Sequence, residues 1–232
     1  MKTKIPLVAL LLFGCHTHPI SSETPPDDAA GGDGQNVDAG TDGGVGGGTD
    51  GGLDGGADAG LPCTSQNTIE QVPLECRVHI PEDQTPVYVN NPPPSGEHYP
   101  VWARWQKYTA VVPRGYWVHN LEHGGVIFLY RPDAPQSVKD ALNRVYDAIP
   151  LEQDCVDVGL PHNRAILTPD PLLDVPWAVT VSGPESEYCV GFGYRIKSDC
   201  VASDQALLDF ALQYRNHSIE TFCDQGDYPY PP

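Results

Sequence analysis

Methionine is all but missing from this sequence: Met1 is the only one in 232 residues. That excludes a copper(I) site built on thioether ligands. Positive charge is scarce too, with 13 Lys and Arg against 31 Asp and Glu and a formal net charge of −18. Such a balance leaves no electrostatic footprint for nucleic acid and no basic patch to hold anionic head groups. The apolar run from Ile5 to Phe13 is too short to span a bilayer as a mature helix. There is no Gly-x-Ser-x-Gly elbow, no P-loop and no Cys-x-x-Cys pair, so the common signatures of serine hydrolases, nucleotide binding and thiolate zinc sites are missing.

What is present begins with export. Lys2 and Lys4 precede the short apolar run, and Gly14-Cys15 follows it, the layout of a secretory signal over residues 1–14. Leu12-Phe13-Gly14-Cys15 also resembles a bacterial lipobox, which makes Cys15 the expected site of lipid attachment. Residues 21 to 61 hold 14 Gly, eight Asp and one Glu without a single Lys or Arg. Such a stretch cannot bury enough apolar surface to offset its ordering entropy, so 15–61 reads as a lipid-anchored, self-repelling tether. Its Gly-Gly-Asp pieces do not keep the register of a calcium-binding repeat. Residues 62–232 keep 22 acidic and 11 basic residues and are long enough for one hydrophobic core. The expected location is the cell envelope, with the lipid as the only membrane contact, no nucleic acid and no protein partner that the sequence identifies.

With Cys15 assigned to lipid, six cysteines remain: Cys63, Cys76, Cys155, Cys189, Cys200 and Cys223. An even count in an exported chain reads as three disulfides, with 15 possible pairings. Proximity in sequence suggests Cys189 with Cys200 across a hairpin, Cys63 with Cys76 at the domain entry, and Cys155 with Cys223 as the remainder.

The pattern of the domain is mixed. Pro86 to Pro100 is proline-rich and extended. Val126 to Arg131 is a short β-forming run, and Ala165–Thr168, Trp177–Val181 and Gly191–Ile196 look like further strands. Ser137–Ile149 and Ser203–His217 have helical apolar spacing, the second with Ser203 as its N-cap. The class is therefore α+β: a small mixed or antiparallel sheet with about two helices, braced by disulfides.

The stretch Tyr116-Trp-Val-His-Asn-Leu-Glu-His-Gly-Gly125 carries the candidate chemistry. His119 and His123, four apart, share a face in a helix or in a strand. His98, on the preceding extended segment, is the natural third ligand if that segment folds back, and Glu122 would ligate or orient an imidazole. Three imidazoles and a water suit zinc or copper(II), and their ring nitrogens should then lie about 3–4 Å apart. His79, His162 and His217 have no partners by spacing and read as structural, while His16 and His18 fall in the tether. His119, Glu122 and His123 also match the H-x-x-E-H pattern of inverted zinc peptidases, in which the glutamate activates water on a long helix. Pro113 and Gly115 before it and Gly124-Gly125 after it confine any helix here to about two turns.

The stretch from Asn91 to Tyr130, with Ser95-Gly-Glu-His98 and then His119-Asn-Leu-Glu-His-Gly-Gly125 leading into a strand, resembles the bacterial domain of unknown function 3105. Ile166-Leu-Thr-Pro-Asp-Pro171 and Phe210-Ala-Leu-Gln-Tyr-Arg215 are similar to later blocks of that family. The resemblance implies an exported or membrane-anchored protein, supplies no activity, and places His98, His119, Glu122 and His123 in the two signature motifs. This chain has Ser218-Ile219-Glu220 where the family tends to carry Gly-Pro-Glu. The expected function is binding of copper or zinc outside the cytoplasm. One alternative is a metal-free module presenting Trp102, Trp105 and Trp117 to a protein or glycan, and another is a zinc-dependent hydrolase using Glu122.

Overall fold

The computed structural model describes Cys63, residues 67–184 and residues 189–229. The expected signal peptide, Cys15 and the acidic tether lie outside the described residues.

Five strands form one mixed sheet: β1 (Glu70–Pro73), β4 (Val126–Tyr130), β5 (Ala165–Pro169), β6 (Trp177–Val181) and β7 (Phe192–Ser198). A separate pair joins β2 (Val78–His79) and β3 (Glu97–His98). The large sheet runs β1-β7-β6-β4-β5, antiparallel except for the β4–β5 pair. A parallel pair needs a crossover, and here the connection contains the helices α2 (Gln136–Ala148) and α3 (Gln153–Asp157).

Both faces of the sheet are buried at β4, β5 and β6, which is why β4 reads as continuous apolar sequence. Val126 and Phe128 meet Val138, Leu142 and Val145 of α2 and Leu207 and Phe210 of α4 (Asp204–Tyr214) on one face. Ile127 and Leu129 meet Trp105, Trp117 and Leu121 on the other. Trp117 and Leu121 belong to α1 (Arg114–Glu122), a helix that the spacing of apolar residues does not announce because every residue from Gly115 to Leu121 is buried. Helices α1 and α3 are additions to the two expected from periodicity. The expected cap holds: Ser203 Oγ accepts from the Ala206 amide at 3.2 Å.

Three disulfides brace the fold: Cys63–Cys200, Cys76–Cys189 and Cys155–Cys223. The last pairing is as expected and the other two correct the local guesses. Cys189 and Cys200 stand at the two ends of the extended strand β7, whose seven residues alone span about 23 Å, far beyond disulfide reach. Because β1 runs antiparallel to β7, the cysteine before β1 meets the one after β7, and the cysteine after β1 meets the one before β7. The two bridges clamp one strand pair at both ends. Disulfides of this kind point to an oxidising, extracytoplasmic compartment. Among the described residues no helix is long and apolar enough to cross a membrane.

Candidate metal centre

The site is assembled from two short elements and one buried helix. Ser95 fastens the first two together: its hydroxyl accepts from the Glu75 amide at 2.7 Å and donates to the Glu75 carbonyl at 2.8 Å. That tie lays β2 alongside β3 in parallel register, with His79 opposite His98. The Cys76–Cys189 bridge anchors β2 three residues before His79. The proline-rich segment after β2 satisfies its amides through carboxylates: Val87 N donates to Glu97 and Asn90 N to Glu75.

Helix α1 brings the other half. Its first turn docks on the chain just after β3, where the Tyr99 amide donates to the Gly115 carbonyl at 3.0 Å. A Cβ at residue 115 would lie 2.5 Å from the Tyr99 ring, so glycine is required for that approach. One turn further, Asn120 clamps Ala103 from both sides, Oδ1 accepting from its amide at 2.9 Å and Nδ2 donating to its carbonyl at 2.7 Å. The helix ends at Glu122. Gly124, at φ +76°, turns the chain into β4 through a conformation that other residues adopt only with strain.

The orientation of two rings is fixed by backbone carbonyls. His98 Nδ1 lies 2.8 Å from the Gly96 carbonyl and His119 Nδ1 lies 2.6 Å from the Tyr99 carbonyl. A carbonyl only accepts, so each Nδ1 carries the proton and each Nε2 of the neutral ring presents a lone pair. Both lone pairs meet the same carboxylate oxygen. Glu122 Oε2 is 3.0 Å from His98 Nε2 and 3.7 Å from His119 Nε2. Neither contact is a hydrogen bond; the first is short enough, yet His98 Nε2 has no hydrogen-bond partner among the described residues.

The surroundings set the charge states. Burial, reinforced by the fields of His98 and His123, pushes the His119 ring down to about 3, so it is a neutral donor at ordinary pH. Burial alone would raise the Glu122 carboxyl. A positive charge at His98 Nε2, with the fields of His119 and Arg77, outweighs it and brings the carboxyl down to about 2, the sense in which a bound dication would also act.

Among the described residues, His79, His98, His119 and Glu122 each offer a ligand atom lying within 4.8 Å of the others. The structure thus brings together His98, His119 and Glu122 and adds His79, which spacing left without a partner. Its signal is a strand register between two-residue strands, invisible to periodicity. His123 lies beside the cluster but outside that four-residue set: its ring is 4.8 Å from His119, 4.5 Å from Trp102 and 4.3 Å from Phe222. Exposed His217 is not part of the cluster.

A second group, Cys155, His162 and Cys223, is equally compact, but both sulfurs are consumed in a disulfide and cannot serve as thiolate ligands. His162 instead stacks on Trp105, with ring centroids 5.2 Å apart. Trp105 and Trp117 are buried in the core, Trp117 completely, and so cannot be presented to a partner.

The model of the family described as "Protein of unknown function (DUF3105)" matches residues 79–223, more than half of the chain. No curated protein and no solved structure matches.

Proposed function

This chain belongs to the DUF3105 family, and we propose that it binds one divalent transition-metal ion, zinc or copper, through His79, His98, His119 and Glu122. The observation that carries this reading is the convergence of two imidazole lone pairs on one carboxylate oxygen. Lone pairs and an anion repel unless a cation lies between them. With bonds near 2.0–2.2 Å, separations of 3.0 and 3.7 Å correspond to ligand–metal–ligand angles of roughly 93° and 126°. Three nitrogens and one oxygen, without thiolate or thioether, favour a dication. The two carbonyls behind His98 and His119 act as the outer partners that hold ligating imidazoles in one tautomer.

The hydrolase reading is less well supported. In the inverted peptidases the glutamate activates water from a long helix, whereas α1 has nine residues and Glu122 at its end is turned toward His98. Binding, storage or transfer of the ion fits the geometry better than proton abstraction.

We place the protein in the cell envelope, tethered through lipid on Cys15 and the acidic segment behind it. The support is the lipobox-like Leu12–Cys15, the composition of 21–61 and the three disulfides. Replacing Cys15 with Ser should release the protein from the membrane fraction, since so acidic a tether has no affinity of its own for anionic lipid.

Elemental analysis of untagged protein from an exporting host is the test of the metal. At least one zinc or copper per chain is expected, with one ion lost in His98→Ala and in His119→Ala and none lost in His217→Ala. Full metal content in a His98→Ala/His119→Ala double variant would remove the site.

A further inference from the structure

The four-residue cluster leaves one imidazole beside it unexplained. His123 is only 2% exposed, and neither of its ring nitrogens has a hydrogen-bond partner among the described residues. A neutral imidazole has one N–H and one lone pair; the Glu220 backbone carbonyl attracts the N–H, and the lone pair is stranded in the interior. Interiors rarely leave such groups unpaired without an ion, a water or a ligand to meet them.

The ring is not loosely placed. Trp102 and Phe222 pack against it, and its carbonyl accepts from Arg164 Nη1 at 2.9 Å. The same guanidinium nitrogen donates to the Phe222 carbonyl at 3.0 Å, so ring and wall are held by one cation.

Facing the ring is Glu220, whose Oε2 lies 3.7 Å from Nδ1. That is too long for a hydrogen bond. For two ligands on one ion with bonds near 2.0–2.2 Å, it is the separation at an angle of about 126°, equal to the His119–Glu122 spacing in the first cluster. The Glu220 side chain is half exposed, which leaves its side of the position open to water ligands.

We propose that His123 and Glu220 hold a second divalent cation next to the first, so that the centre is a two-ion site. The inference rests on the metal-binding reading of the His79–His98–His119–Glu122 cluster for its ion class. It gives a ligand role to Glu220. The two positions adjoin through the His119 and His123 rings, one helical turn apart on the end of α1, and the second is the more open to solvent.

Equilibrium dialysis of metal-stripped, disulfide-intact full-length protein against cobalt(II) and against zinc(II) tests it. Two ions per chain are expected in the parent protein and one in His123→Gln and in Glu220→Gln. Glu220→Gln, a surface change, covers the case in which His123→Gln fails to fold. His98→Ala should lose the other ion and keep the His123 position. A parent protein that binds a single ion, lost in His98→Ala, overturns the second position and leaves the first intact. A parent that binds none overturns both. Loss of every ion in Glu220→Gln, or retention of two, would also refute the proposal.

Discussion

His79 and His98 stand opposite each other across the shortest strand pair in the described structure, their ring centroids 4.6 Å apart. A parallel register of two residues carries two of the four clustered side chains. What holds that register, apart from a pair of amide bonds, is the tie between Ser95 and Glu75.

Ser95→Ala should therefore weaken metal binding without removing a ligand. Losing two hydrogen bonds at a buried hydroxyl costs about 1–3 kcal/mol of stability. A loss of roughly tenfold in zinc or copper affinity is expected, the low end for residues that support metal ligands, with the stoichiometry unchanged. Urea unfolding and competition titration against a chelator read the two effects separately. Unaltered affinity in a destabilised protein would show that the register does not depend on this tie.

The tautomers of His98 and His119 are a second expectation. With each Nδ1 facing a carbonyl, long-range nitrogen–proton NMR of metal-free protein should show Nδ1–H on both rings. On adding zinc, only the Nε2 signals should move strongly. An Nε2–H tautomer on either ring would contradict the arrangement of lone pairs around Glu122.

Acid stability follows from His162. Burial, aided by Arg164, lowers its ring from 6.5 to about 4, so the unfolded chain takes up the proton first. The stability contribution of the neutral ring is complete above pH about 6.5 and is lost as the pH falls toward 4, by about 3 kcal/mol at most. His119 and His123, lowered to about 3 and 4 mainly by burial, act in the same direction. Urea midpoints of metal-free protein should fall from pH 7 to pH 4, and less steeply in His162→Asn. A midpoint that stays flat over that window would overturn this assignment.

The sequence disclosed those elements whose physics is local. β4 is visible as a β-forming run between glycines and a proline, and α4 through its serine cap and apolar spacing. Helix α1 is not, because burial on every side erases the polar face that makes helical periodicity readable. The same limit applies to the site. His98, His119 and Glu122 were legible because they sit in two compact motifs, while His79 joins them through a pairing of segments 19 residues apart. The disulfides failed where proximity in sequence was taken for proximity in space: the β1–β7 pair sets its own partners. Only Cys155–Cys223, which does not belong to that pair, came out as expected.

The unequal burial of the four clustered residues has a kinetic meaning. His98 and His119 are fixed to carbonyls inside the fold, and Glu122 ends a helix buried nearly all round. Only His79 is exposed, on a two-residue strand held between Cys76 and Ile80. An ion held by these four donors would meet solvent first at His79, so lifting of β2 would bear on its residence time alongside bond strength. Dissociation rate and affinity then become separately adjustable: a change at Val78, which contributes no donor atom, alters how often the strand lifts and leaves the coordinating set untouched.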